Sequence, residues 1–93
     1  GYGASTKGNV LLQFCGFTEK DLSCIAEVNP EKYGAYTPGT LIPIMSESDV
    51  KAMKPDYMLV LPWHFRDSIV RREAEFLASG GKLIFPLPEI EIV

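Results

Sequence analysis

Residues 57–85, YMLVLPWHFRDSIVRREAEFLASGGKLIF, decide how this chain folds, because two apolar runs flank a helical pattern within them. Tyr57 to Leu61 is unbroken and of strand length, and such runs suit a parallel strand covered on both faces. From Phe65 to Ser79, the residues Ile69, Val70, Ala74, Phe76 and Leu77 fall on one side of a helix, while Arg71, Arg72 and Glu75 fall on the other. Gly80-Gly81 ends that helix. Lys82 to Phe85 forms the next strand, before Pro86 and Pro88 take the chain out of regular pairing.

The alternation continues on both sides of this stretch. Ser46 with Asp49 three residues later approximates a capping box, and Pro55 marks a stop, which predicts a helix of about two turns between them. Leu41 to Ile44 is a weaker strand, reached through a loop rich in Tyr, Gly and Pro. Ser23 to Val28 is apolar, partly β-branched and closed by the turn signal Asn29-Pro30, so it reads as a strand. Val10, Leu11, Phe14 and Cys15 recur at helical spacing and Gly16 is placed to cap them, predicting a helix from Ser5 to Cys15. The tail Glu89 to Val93 alternates charged and apolar residues, the pattern of an edge strand.

Helices alternating with strands imply a mostly parallel sheet with helices on both faces, an α/β arrangement of Rossmann-like type in one domain spanning residues 1–93. The opening Gly1-Tyr2-Gly3 is a turn that in such folds comes after a strand. The sheet is therefore expected to lack its first strand and the chain to be a fragment of a longer protein. An edge opened in that way would invite pairing.

Nearly half the residues (46%) are hydrophobic, which places the chain among globular folds. A net charge of -3 without a basic cluster argues against a nucleic-acid partner. No apolar run approaches the roughly 20 residues of a bilayer-spanning helix, so no membrane partner is expected and a cytoplasmic location is the default. Cys15 and Cys24 lie in apolar segments and read as buried free thiols; only His64 could join them as a third classical zinc ligand.

Three places could carry chemistry. Gly1, Gly3 and Gly8 bracket Ser5, Thr6 and Lys7 at a helix start, where free N–H groups and the positive end of the helix dipole attract an anion. The pattern departs from G-x-G-x-x-G, because Thr6 holds the third glycine position, and a tight turn with Ser5 or Thr6 as N-cap and a solvated Lys7 explains it equally well. Glu27 ends a strand about twenty residues later, where nucleotide-binding folds place an acid that accepts from ribose hydroxyls. Tyr33, Tyr36, Pro38, Gly39 and Thr40 make a loop whose aromatic surfaces and hydroxyls could line the same crevice. Trp63 and His64 come directly after the buried strand at its carboxyl end, where open α/β sheets bind ligands. Histidine is the side-chain type suited to proton transfer near neutral pH, but no nucleophile or G-x-S-x-G elbow accompanies His64, and a histidine capping the next helix is the alternative.

Four blocks, GYGASTKGN (1–9), YTPGTLIPI (36–44), PDYMLVLPWHFRDSIVRR (55–72) and GGKLIFPLP (80–88), resemble the C-terminal domain of SAM-dependent C-methyltransferases of the sugar-nucleotide 3-C-methyltransferase type. The resemblance implies that a zinc-binding domain and a SAM-binding domain precede this region, with the sugar nucleotide held in a cleft beside it. It implies that the fragment helps hold the substrate while the principal acid/base residues lie elsewhere; the candidates read above, Gly1, Gly3, Ser5, Thr6, Lys7, Glu27, Tyr36, Trp63 and His64, would then be the substrate-binding residues, with His64 as an auxiliary proton-transfer group. S-adenosylmethionine and zinc would then belong to other parts of the parent chain, with no cofactor in this one. A stand-alone nucleotide-binding or regulatory module, resting only on the glycine loop and Glu27, is the other reading.

Overall fold

The computed structural model describes all residues from Gly1 to Val93. In chain order the elements are α1 (Thr6–Cys15), β1 (Ile25–Glu27), β2 (Ile44–Ser46), α2 (Glu47–Ala52), β3 (Tyr57–Leu59), α3 (Arg66–Arg72), α4 (Ala74–Ala78), β4 (Lys82–Phe85) and β5 (Glu91–Ile92). Single 3₁₀ turns come after β1 at Pro30–Lys32 and before α3 at Trp63–Phe65. The result is a mixed α/β domain in which β1 pairs with β2, and β3 with β4, in parallel, while β5 returns antiparallel on β4.

Tyr2 joins the two sheets. It bridges Ala26 and Val60, both in parallel. Its N–H donates to the Leu59 carbonyl and its carbonyl accepts from Leu61, while Gly3 N–H donates to the Ala26 carbonyl. Gly1 to Gly3 thus run between β1 and β3 in the middle of the assembly.

Side chains leave successive strand residues toward opposite faces, and the apolar runs use both. Ile25 and Leu61 join Leu12 of α1 and Ile42 in one cluster. Ala26, Met58, Val60, Leu83 and Phe85 face the other way, against Val50 of α2 and Ile69 of α3. Helices therefore cover both faces. Tyr57, at the start of the apolar run, is exposed, so coverage on both faces begins only at Met58.

Several expectations shift in detail. The strands at 23–28 and 41–44 shorten or slide to Ile25–Glu27 and Ile44–Ser46. Cys24 is buried but Cys15 is exposed, and both are free. On α1 the apolar spacing points the wrong way: Val10 and Phe14 are 61% and 90% exposed, and Leu12 is the residue wholly buried. The reason lies at Gly8, where a Cβ would collide with the Leu61 side chain. Helix and strand touch there, so Gly8 and Leu12, one turn apart, set the inner face and Val10 and Phe14 fall opposite it.

The helix expected from Phe65 to Ser79 breaks at Glu73, where the backbone leaves helical geometry (φ −97°, ψ 25°). The break turns the Glu73 carboxylate into the core, where the residue is 1% exposed. Tyr2 donates to Glu73 Oε2 at 2.9 Å, and Lys51 Nζ lies 2.6 Å from Oε1 as an ion pair approached outside hydrogen-bond alignment. Arg72 donates to the Tyr2 hydroxyl at 2.8 Å, and both Arg72 and Lys51 reach Glu47 at 2.9 Å. Burial opposes the Lys51 charge, but pairing with Glu73 and Glu47 outweighs it and holds the ammonium above its ordinary value. Two carboxylates and two cations balance around one phenol, as burial of charge requires.

Beyond the core, Arg66 grips β5 through Glu91, with contacts at 2.5 and 3.2 Å, while its guanidinium carbon lies 5.7 Å from the centre of the Phe85 ring. On the far side, Gly34 N–H donates to the Ile44 carbonyl and Ile44 N–H to the Ala35 carbonyl, so the loop after β1 runs along β2.

Candidate functional site

The turn at Gly3, the start of α1 and the ends of β1 and β3 meet at the carboxyl edge of the parallel strands. Gly3 takes a left-handed φ of 80°, which an L side chain rarely adopts, and a Cβ there would also press on the Pro62 ring at 3.0 Å. Ser5 caps α1, its Oγ accepting from Gly8 N–H at 3.0 Å. The backbone N–H groups of Thr6 and Lys7 have no acceptor within the chain, and Lys7 is exposed without an ion-pair partner. Those N–H groups carry the positive end of the helix dipole.

Glu27 holds this turn in place. Its carboxylate accepts from Ala4 N–H at 3.0 Å and from Val28 and Asn29 N–H at 2.9 Å each. Lys32, from the turn after β1, donates to the Ala4 carbonyl at 2.7 Å and lies 3.8 Å from Glu27 Oε1. Burial opposes ionisation of Glu27, but the three backbone bonds and Lys32 outweigh it and hold the carboxyl below the usual carboxylate range. The acid is largely engaged by its own backbone, which leaves little accepting capacity for a ribose hydroxyl.

Ala4 and Ser5 form a partition between two hollows. One, of about 310 Å³, lies beside Thr6 and Lys32 with Leu12, Ile25 and Leu61 as its apolar floor and Thr37 and Pro38 as its rim. Asn9 also lines it, and the Asn9 Oδ1 is buried without a hydrogen-bond partner. Such an atom is uncommon in folded proteins and marks a place where a donor is missing. The second hollow, of about 300 Å³, is lined by Tyr2, Gly3, Glu27, Pro62, Phe65 and Arg72, among others.

The remaining candidates divide. Tyr36 is exposed and lines a separate depression with Leu41 and Pro43, while its neighbours Thr37 and Pro38 reach the first hollow. Thr37 and Thr40 are buried and joined through their hydroxyls, and Thr37 Oγ1 accepts from Ile42 N–H at 2.9 Å, which stiffens that loop. Trp63 is half-buried and packs against the larger core cluster. His64 is exposed and stands between aromatic neighbours, with ring centres 5.8 Å from Trp63 and 4.3 Å from Phe65. It caps no helix and makes no hydrogen bond, so both ring nitrogens are uncommitted within the chain.

Sequence reasoning misses Asn9, Lys32 and Glu73. A charged residue on the apolar side of the 65–79 pattern is the available sign of the last. No group of three or more His, Cys, Asp or Glu side chains comes together as a metal-binding set, and no helix is long and apolar enough to cross a membrane.

Residues 1–88 match the protein family described as the C-methyltransferase C-terminal domain. Over all 93 residues the chain is 39% identical to the C-methyltransferase NovU of Streptomyces niveus, and it spans 22% of that relative's length.

Proposed function

Because this chain belongs to the family of C-methyltransferase C-terminal domains, we propose that it is the substrate-holding share of a SAM-dependent C-methyltransferase acting on a nucleotide-linked sugar. The glycine turn, α1 and the two hollows then act as a Rossmann-like crevice, with residues 1–3 as its central strand. The observation that carries this reading is the pair of unpartnered N–H groups at Thr6 and Lys7, of which Thr6 lines a hollow shared with the apolar Leu12, Ile25 and Leu61 and with Lys32.

In this reading Thr6 and Lys7 N–H, with the Lys7 ammonium, take the diphosphate, since oriented amides and a mobile cation stabilise anionic oxygens without rearrangement. The apolar floor and the Asn9 amide take an uncharged part of the ligand, and Glu27 acts indirectly by fixing the turn. His64 is an auxiliary group that exchanges a hydrogen bond or a proton with substrate held across from it. S-adenosylmethionine supplies the methyl group and is held, like the structural zinc, by other parts of the parent chain, which works in the cytoplasm. The stand-alone module loses ground to this reading, because the family and the 22% coverage of the relative fit one part of a larger transferase.

Lys7→Ala in the full-length enzyme tests the reading. It should weaken sugar-nucleotide binding by about 1.5–3 kcal/mol, the range for a hydrogen bond involving a charged group, with an unchanged melting temperature because the exposed Lys7 side chain makes no hydrogen bond or ion pair within the chain. Unaltered substrate affinity would reduce the loop to a structural turn.

A further inference from the structure

The second hollow, beyond the partition of Ala4 and Ser5, has its charges answered inside the chain. Arg72, the cation in its lining, donates to Glu47 at 2.9 Å and lies 4.0 Å from Glu73. Glu27, its acid, is held by three backbone N–H groups and by Lys32. A second anionic group would find no uncompensated charge there, whereas a neutral group with hydroxyls can still bond to the rim. The rest of the lining includes Pro62, Phe65 and Ile69 together with the exposed Ser68. Phe65 is 58% exposed and belongs to neither core cluster. Its N–H donates to the Pro62 carbonyl at 3.1 Å, so a fixed turn holds the ring at the wall of the hollow while its side chain contributes little to the core.

The geometry points to a division of the ligand: the sugar ring lies in this second hollow with one C–H face on Phe65, while the nucleoside lies across the partition in the first. The inference rests on the sugar-nucleotide reading above, and it goes further by saying which end each hollow takes and by naming Phe65 as the residue that selects the sugar. A sugar ring is uncharged, with hydroxyls at its rim and C–H groups on its faces, and polarised C–H groups suit the negative face of an aromatic ring. Ser68 and Arg72 stand at the rim to meet the hydroxyls. The diphosphate sits at Thr6 and Lys7, on the segment that continues the partition, so its two ends lead to opposite sides of Ala4 and Ser5. His64, whose ring centre is 4.3 Å from that of Phe65, then flanks the sugar and not the base.

Titration calorimetry on the full-length enzyme decides the matter, with uridine diphosphate, thymidine diphosphate and the glucose conjugate of each as probes. The wild type should bind a conjugate more tightly than its bare diphosphate. Phe65→Leu should weaken the conjugate roughly three- to tenfold, as for the loss of one aromatic contact, and leave the diphosphate unchanged; Phe65→Tyr, which keeps the ring face, should keep both affinities. Equal losses for conjugate and diphosphate, no loss for either, or conjugates that bind the wild type no better than bare diphosphates would each overturn the placement. Lys7→Ala separates this inference from the reading beneath it, because it should weaken diphosphate and conjugate alike. Loss at Lys7 without a selective loss at Phe65 sinks only the placement of the sugar, whereas a Lys7→Ala enzyme that binds every probe as wild type does sinks the parent reading.

Discussion

The Tyr2 hydroxyl donates to the Glu73 carboxylate at 2.9 Å, across 71 positions of sequence. One bond thus ties the glycine turn at the carboxyl edge of the parallel strands to the break between α3 and α4. The Arg72 bond to the same hydroxyl ties both to the surface network at Glu47.

Removing the hydroxyl leaves a buried carboxylate short of one donor. Tyr2→Phe should cost about 1.5–3 kcal/mol, as for hydrogen bonds to charged groups. Glu73→Ala should cost more, about 3–5 kcal/mol, because it also strands Lys51 and Arg72 without their buried counter-charge. Urea denaturation of the full-length protein measures both, and a Tyr2→Phe protein as stable as wild type would show that the phenol is only a spacer.

Acid should loosen the glycine turn through Glu27. The folded carboxyl titrates below its ordinary value of 4.5, so its stabilising contribution is complete above the ordinary glutamate range and is lost as pH falls through the lower folded value. Glu27→Gln cannot accept three N–H bonds in the same way. It should lower stability at neutral pH and flatten the acid limb below the ordinary glutamate range. Parallel stability curves for wild type and Glu27→Gln, measured by urea midpoint against pH, would contradict the role given to the carboxylate.

Trp63 and His64 should separate experimentally although they are adjacent. Trp63→Ala removes a half-buried ring from the core cluster and should destabilise by about 2–4 kcal/mol, near the lower end for large-to-small core changes. His64→Ala touches no cap and no hydrogen bond, so its stability should stay within about 0.5 kcal/mol of wild type. Any loss in kcat or rise in KM of the full-length enzyme then reports on substrate. A His64→Ala enzyme with wild-type kinetics would remove the residue from the proposed site.

The order of elements is legible in the sequence because local signals and global pairing agree. Ser46 accepts from Asp49 N–H at 3.1 Å as the capping pattern implies, and Gly16 closes α1 in the left-handed conformation. The tail alternation at Glu91 and Ile92 does mark an edge strand. The features that stay hidden depend on partners distant in sequence. Apolar spacing in α1 favours Val10 and Phe14, and only the approach of Leu61 to Gly8 shows which side is inside. Glu73 reads as one more solvated charge until Tyr2 and Lys51 stand beside it. Glu27 does sit at a strand end, but nothing in the sequence shows that three backbone N–H groups converge on it. Of the loop from Tyr33 to Thr40, Pro38 reaches the hollow together with Thr37, which carries no sign of it in the sequence, whereas the aromatic Tyr36 lines a separate depression.

The two outer rims of the sheet are both hemmed. Along β2 runs the backbone of Gly34 and Ala35, and along β4 lies the reversed pair Glu91 and Ile92, clasped by Arg66. A selvedge only two residues wide, carrying a charged side chain, offers little template for lateral growth of the sheet. Unclasping it by Arg66→Ala should bare the β4 rim, and the first sign would be self-association visible in light scattering, before any change in the interior.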